Sequence, residues 1–230
     1  MCQPTDVSTH RYIQIAPFAL IVCAAVSLLF LSGCSRAYYS TMEKFGVHKR
    51  DIMVNRVKEA RDAQTEAKEQ FKSALEQFTE IVQVRGGNLE QQYKKLNTEY
   101  ARSKDRADQV HQRIDAVESV SEALFKEWKA ELQQYSSTSL RQDSERKLES
   151  TRRQYEQLIT AMKRAESKIQ PVLTVFHDQV LYLKHNLNAQ AIASLQDERL
   201  SLERNVDQLI REMEDSIREA DLFISRLQQS

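Results

Sequence analysis

Apolar residues recur along most of the chain at alternating spacings of four and three residues. The longest series begins at Leu89, and eleven of its fourteen positions are apolar. This spacing keeps the apolar residues on one face of an α-helix, so it predicts a long helix that packs along a single stripe. The series is Leu89, Tyr93, Leu96, Tyr100, Ser103, Ala107, Val110, Ile114, Val117, Ser121, Leu124, Trp128, Glu131 and Tyr135.

Two further series have the same spacing and predict two more long helices. One is Leu148, Thr151, Tyr155, Leu158, Met162, Ala165, Ile169, Val172 and Phe176. The other is Ile192, Leu195, Arg199, Leu202, Val206, Leu209, Met213, Ser216, Ala220, Phe223 and Leu227. The pattern between Val54 and Val82 is weaker, because its middle carries alanines that permit close helix approach but bury less area.

Pro171 lies inside the series that begins at Leu148, and the apolar pattern continues beyond it. We therefore expect the proline to kink this helix rather than end it. The next large apolar residue after Phe176 is Val180, four residues on where the pattern requires three. This spacing predicts a slip of the apolar stripe and a local change in supercoil.

Breaks between the series fall at residues that end or start helices. Gly86 and Gly87 can end the first helix, the Ser136–Ser139 run can start the third, and Asn186 and Asn188 can separate the third from the fourth. The expected helices lie near 48–85, 88–135, 140–187 and 189–228. Similar lengths and short connections predict an all-α fold, a long antiparallel bundle or coiled coil with up-down-up-down topology.

The composition agrees with this fold and excludes several classes of protein. The chain has 230 residues, only four Gly and three Pro, and 33 basic against 33 acidic residues. Few turn-forming residues argue against all-β and α/β folds. Balanced charge gives no electrostatic reason to expect nucleic-acid binding.

The N-terminal segment has the features of a secretory signal. A short stretch with Arg11 precedes an apolar run from Ile15 to Leu31, and small residues follow before a cysteine. The order Leu31, Ser32, Gly33, Cys34 resembles a bacterial lipoprotein signal. That resemblance implies removal of residues 1–33, acylation of Cys34 with chains such as palmitate, and a tether over 34–47 before the bundle of 48–230.

This lipid would anchor the chain in a membrane, since two or three acyl chains anchor stably where one does not. The residue after the cysteine is Ser35 and not Asp. By resemblance to sorted lipoproteins, that favours the outer membrane, facing the periplasm, over the inner membrane. The alternatives are an uncleaved anchor, for which the apolar run is at the lower length limit, and a cytosolic protein.

Two segments are similar to a known family. They are Tyr38–Ile52, which reads YYSTMEKFGVHKRDI, and Phe176–Leu195, which reads FHDQVLYLKHNLNAQAIASL. The chain resembles, over about residues 37 to 229, a family of uncharacterised bacterial lipoproteins known only as a domain of unknown function. The resemblance supports an envelope lipoprotein and implies no activity, cofactor or functional residue.

Sequence motifs for catalysis or metal binding do not occur. The histidines after Cys34 are His48, His111, His177 and His185, and none follows a glutamate at the Glu-x-x-His spacing of di-iron bundles. Zinc-protease, nucleophile-elbow and phosphate-binding motifs do not occur either. We therefore expect no enzyme activity, no cofactor, no metal and no small-molecule substrate.

One stretch differs from the rest of the chain. Between Ile169 and Leu195 only Asp178 and Lys184 are charged, and apolar residues occupy more than one face of the predicted helix. Such a helix is either central in the core or covered by a partner. Both interpretations stay open. The candidate residues for contact with a protein partner or a second copy are Val180, Tyr182, Leu183, Leu187 and Ile192.

Three classes of function fit these features. The leading one is a lipid-anchored, non-enzymatic scaffold or interaction protein of the bacterial envelope. The second is a membrane-shaping helical dimer, which the balanced charge disfavours. The third is an accessory subunit of an envelope transport or cell-wall machine.

Overall fold

Four long α-helices form the bundle. The computed structural model describes residues 48–83, 88–186 and 188–229. Helix α1 spans Lys49–Gln83, α2 Leu89–Glu131, α3 Thr138–His185 and α4 Ala189–Gln229, with a single 3-10 turn at Leu132–Gln134. At about 1.5 Å per residue these helices are about 50–70 Å long. The predicted all-α, four-helix class is confirmed.

The helices form a closed antiparallel ring. Each helix packs against its neighbours in sequence, and α1 also packs against α4. Ion pairs fix the register: Arg61 lies 2.9 Å from Asp221, and Lys68 lies 3.4 Å from Glu214 on the next turns down α4. The start of α1 therefore shares one end of the bundle with the end of α4. The α3–α4 connection lies at the other end.

Side-chain caps start two of the helices. The side chain of Asn88 accepts a hydrogen bond from the backbone N–H of Gln91, and that of Ser137 accepts one from Leu140. Each cap satisfies a backbone donor that has no partner within the helix. The serine run thus starts α3 as predicted. The expected Gly86-Gly87 turn lies outside the described residues.

The heptad series form the core. In α2, α3 and α4 most of their positions are buried, and in α1 the small residues Ala60, Ala67 and Ala74 are buried together with the larger Phe71 and Phe78. The burial of these alanines means that the weaker pattern of α1 still marks a packed face. Small residues at these core positions allow α1 to lie close to its neighbours.

The end of the series that begins at Leu89 was predicted wrongly. Glu131 is exposed and Tyr135 is 42% exposed, whereas the neighbouring Leu132 is buried. The α-helix ends at Glu131, four residues before the expected position, and the tighter 3-10 turn rotates Leu132 toward the core.

The predicted slip after Phe176 is also corrected. Gln179 and Val180 are both buried, so the stripe widens and the alternation continues, three residues from Phe176 to Gln179 and four from Gln179 to Leu183. The pattern missed this because a polar residue occupies a core position. Helix α3 runs unbroken through Pro171, as expected.

Candidate functional site

The structure describes four of the five predicted partner residues, and one of these four is exposed. Val180, Leu183 and Ile192 are buried within the bundle, whereas Tyr182 is 40% exposed. Leu187 lies outside the described residues. The buried three pack against the chain's own helices, so contact with a partner would have to be made through Tyr182 and its surface neighbours.

Leu181, which the sequence analysis did not single out, is 44% exposed and adjacent to Tyr182. The other large apolar residues with high exposure are separated from one another along the chain: Tyr135, Leu140, Leu200 and Leu222. Single exposed apolar residues are ordinary, but adjacent ones enlarge the apolar area that a partner can cover. The Leu181–Tyr182 pair is therefore the candidate contact surface.

Local hydrogen bonds hold this pair beside the α3–α4 connection. The side-chain amide of Asn186 donates to the carbonyl oxygen of Tyr182 over 2.9 Å, and the backbone N–H of Asn186 donates to Leu183 over 3.3 Å. The Tyr182 hydroxyl lies 3.4 Å from the hydroxyl of Ser194 on α4. Bonds that terminate α3 and join it to α4 thus position the exposed tyrosine ring.

A groove of about 610 Å³ lies between α3 and α4 beside this surface. Its lining comprises Val175, Asp178, Gln179, Tyr182, Ser194, Leu195 and Glu198. The heptad position of Gln179 places it in the core, yet its side chain also forms part of the groove. The groove therefore combines apolar walls with carboxylate, amide and hydroxyl groups. This composition is suited to binding an amphipathic ligand.

A charged network joins α2 to α3 in the middle of the bundle. Nδ1 of His111 lies 2.5 Å from Oε1 of Glu166, and the Lys163 ammonium lies 2.8 Å from Glu118 and 3.4 Å from Glu166. No catalytic motif surrounds His111 in the sequence. Its position directly after the core residue Val110, with Glu166 directly after the core residue Ala165, is the signal that could have indicated this pairing.

The network changes the proton affinity of its members. The hydrogen bond that His111 donates to the Glu166 carboxylate, with the nearby charge of Asp115, raises the pKa of His111. Burial alone would lower the pKa of Lys163, but the hydrogen bond to Glu118 and the charge of Glu166 raise it. Both shifts favour the cationic forms, so the arrangement holds two helices together by ion pairing.

The described part of the chain contains neither a candidate membrane-spanning helix nor a candidate metal-binding cluster. Within residues 48–83, 88–186 and 188–229, no helix is both long and apolar enough to cross a membrane. Over the same ranges no three His, Cys, Asp or Glu side chains are arranged to hold a metal ion. The predicted lipidation residues Leu31, Ser32, Gly33 and Cys34 lie outside the described part of the chain.

Comparison with known proteins identifies a sequence family and nothing more specific. Residues 38–227 match the family described as "Protein of unknown function (DUF2959)". No curated protein and no solved structure matches the chain. The match covers all four helices except the last residues of α4.

Proposed function

We propose, from the premise that the chain belongs to the DUF2959 family of proteins of unknown function, that it is a lipid-anchored helical scaffold of the bacterial cell envelope. In this proposal it is not an enzyme. It carries an interaction surface at the end of the bundle opposite the start of α1, and the partner is another protein or a second copy of the chain.

The proposed anchor is a lipid on Cys34. The apolar run ends at Leu31, and the small residues Ser32 and Gly33 that follow it leave the bond before Cys34 accessible to a signal peptidase. Ser35 favours the outer membrane, with the bundle in the periplasm. An acylated Cys34 would be joined through residues 35–47 to His48, where the described bundle begins.

Metabolic labelling with an alkyne fatty acid tests this anchor. We expect the wild-type chain to be labelled and the Cys34→Ala variant to lose the label. Cys23→Ala is the matched control, because Cys23 lies in the segment that is removed and its loss leaves the label unchanged. Label retained in Cys34→Ala would exclude the anchor.

The observation that carries the interaction role is the position of the Leu181–Tyr182 pair. Lys49 pairs with Glu127 over 2.9 Å, and Arg50 donates to the carbonyl oxygen of Leu227, so α1 starts where α2 and α4 end. The exposed pair lies beside the connection at the opposite end. A chain tethered ahead of α1 would therefore carry this pair at the end of the bundle away from the tether.

Site-specific photocrosslinking in cells tests this role. A photoreactive amino acid at position 181 is expected to give a defined crosslinked product that mass spectrometry can identify. Leu140 is the matched control, because it is also an exposed leucine of α3, 60% exposed, but lies at the other end. Products from position 140 and none from position 181 would refute the proposed contact surface.

The two alternative classes of function predict different results in this crosslinking experiment. An accessory subunit would yield one crosslinked envelope protein in a fixed ratio to the chain. A membrane-shaping dimer would crosslink to itself, and the purified lipidated protein would deform liposomes.

A further inference from the structure

The groove between α3 and α4 contains a buried amide whose hydrogen-bonding capacity is unused. Gln179 is only 4% exposed, and neither its Nε2 nor its Oε1 has a hydrogen-bond partner among the described residues. Leaving a buried polar group without a partner costs about 1–3 kcal/mol. Gln179 borders the groove, so a rotation of its side chain toward the groove would let a ligand there supply the missing partners.

The charge of the groove indicates the sign of the ligand. Asp178 on α3 and Glu198 on α4 stand on its two sides, and none of the described lining residues is basic. The imidazole of His177 lies beside this site, with its Nδ1 3.8 Å from Oδ1 of Asp178. His177 also packs against the ring of Tyr100 on α2, with centroids 5.2 Å apart, which holds it on the side toward α2.

The remaining walls indicate the shape of the ligand. Val175 and Leu195 contribute apolar surface, and the ring of Tyr182 is exposed at the edge with Leu181 beside it. A lysine or arginine side chain has an aliphatic stem and a cationic head, so it can contact apolar walls and carboxylates together. A primary amide carries a donor and an acceptor side by side, which complements the donor and acceptor of a peptide backbone.

We infer that this groove binds a basic, extended peptide segment of the partner protein. A lysine or arginine of that segment pairs with Asp178 and Glu198, and its aliphatic stem lies against Tyr182. The backbone of the segment pairs with the amide of Gln179. This inference rests on the proposed interaction role and specifies the chemistry of the partner at the same surface.

Peptide binding to the purified full-length chain in detergent tests the inference. The probes are fluorescent peptides with the sequences Gly-Lys-Leu-Lys-Gly and Gly-Glu-Leu-Glu-Gly, both with blocked ends, measured by fluorescence anisotropy. We expect the basic peptide to bind at least tenfold more tightly than the acidic one, with an affinity that falls as salt rises. Equal affinity of the two peptides, or no binding of either, would overturn the inference.

Variants locate the binding. Asp178→Asn combined with Glu198→Gln is expected to weaken binding of the basic peptide at least tenfold, and Gln179→Leu several-fold, with the helical circular dichroism signal unchanged. The matched control is Asp143→Asn combined with Glu149→Gln, which removes two carboxylates at the other end of α3. If the control weakens binding as much, attraction is nonspecific and the inference fails.

The two proposals fail separately. Crosslinks from position 181 in cells, together with no preference for the basic peptide, would leave the interaction surface in place and exclude a basic partner segment. A preference that depends on Asp178 and Glu198, together with no crosslinks from position 181, would support the ligand chemistry and refute the proposed placement of the partner.

Discussion

The indole Nε1–H of Trp128, in the last turn of α2, donates a 2.8 Å hydrogen bond to the hydroxyl oxygen of Ser144 in α3. This bond joins the two helices beside the 3-10 turn, in which Leu132 is the buried apolar residue. Removing the partner of a partly buried indole N–H lowers the free energy of unfolding, because water does not fully replace the bond.

Ser144→Ala is therefore expected to lower the free energy of unfolding by about 1 kcal/mol. Trp128 is the only tryptophan in the chain, so its fluorescence reports both urea unfolding and the loss of the bond. Ser139→Ala is the control, since it makes the same change in helix propensity at an exposed position of α3. Equal stability of the two variants would show that the bond contributes nothing.

A second prediction concerns Gln64, which occupies a core position of α1. It is fully buried, and both atoms of its amide lack hydrogen-bond partners within the described part of the chain. Leucine has a similar volume and helix propensity but no polar atom to desolvate. Gln64→Leu is expected to raise the free energy of unfolding by about 1–3 kcal/mol.

Urea denaturation of Gln64→Leu and of Gln157→Leu, an exposed position of α3, measures this effect. The exposed substitution is expected to change stability by less than about 0.5 kcal/mol. If Gln64→Leu is instead destabilising, the amide has a partner in solution, such as a buried water molecule, and the prediction is contradicted.

The His111–Glu166 pair predicts a specific pH dependence. The pKa of His111 is raised by the hydrogen bond that its ring donates to Glu166, then by the charges of Asp115 and Glu166, against the lowering effects of burial and of Lys163. A raised pKa means that the folded chain holds the proton more tightly. The resulting stability is fully present below the unfolded pKa, about 6.5, and is lost as the pH rises through the raised folded pKa.

Because His111 is largely exposed, solvent screening limits this contribution to a few tenths of a kcal/mol. His111→Gln is expected to remove the fall in stability above pH 6.5, measured by urea denaturation across a pH series. The variant keeps Lys104 and Asp108, the charged residues of α2 that line the same groove as His111. His185→Gln, at the exposed end of α3, is the control, and the prediction is lost if both variants flatten the profile equally.

The sequence predicted most of the fold because a single physical rule determines it. Burial of apolar area fixes which face of each helix points inward, and the spacing of four and three residues records that face directly. The errors occur where another effect decides. At Tyr135 the tighter 3-10 turn ends the helical spacing, and at Gln179 a polar residue takes a core position that apolar patterning cannot identify.

The candidate site was harder to predict for a related reason. Apolar content drew attention to Val180, Leu183 and Ile192, but a helix that is apolar on several sides gives no indication of which side its neighbours cover. The structure shows that these three are covered and that Leu181 is not. Asp178 and Glu198 belong to different helices, so only the packing of α3 on α4 brings them to one groove.

Pro171 gives the last prediction, because it marks a change in the buried face of α3. Before it the core residues include Ala161 and Ala165, and after it Leu173 and Val180 extend the face to the other side of the stripe. Proline donates no backbone hydrogen bond, so the carbonyl of Ser167, four residues earlier, loses its usual helical partner. This cost amounts to about 3 kcal/mol in an ordinary helix interior.

Pro171→Ala restores that donor but also gives the unfolded chain more freedom, which offsets about 1 kcal/mol of the gain. We therefore expect a net rise of about 1–2 kcal/mol in the free energy of unfolding, measured in urea. Lys184→Ala, an exposed change in the same helix, is the control and should be nearly neutral. A loss of stability in Pro171→Ala would contradict this prediction. It would mean that Leu173 and Val180 reach their buried positions only when residue 171 is proline.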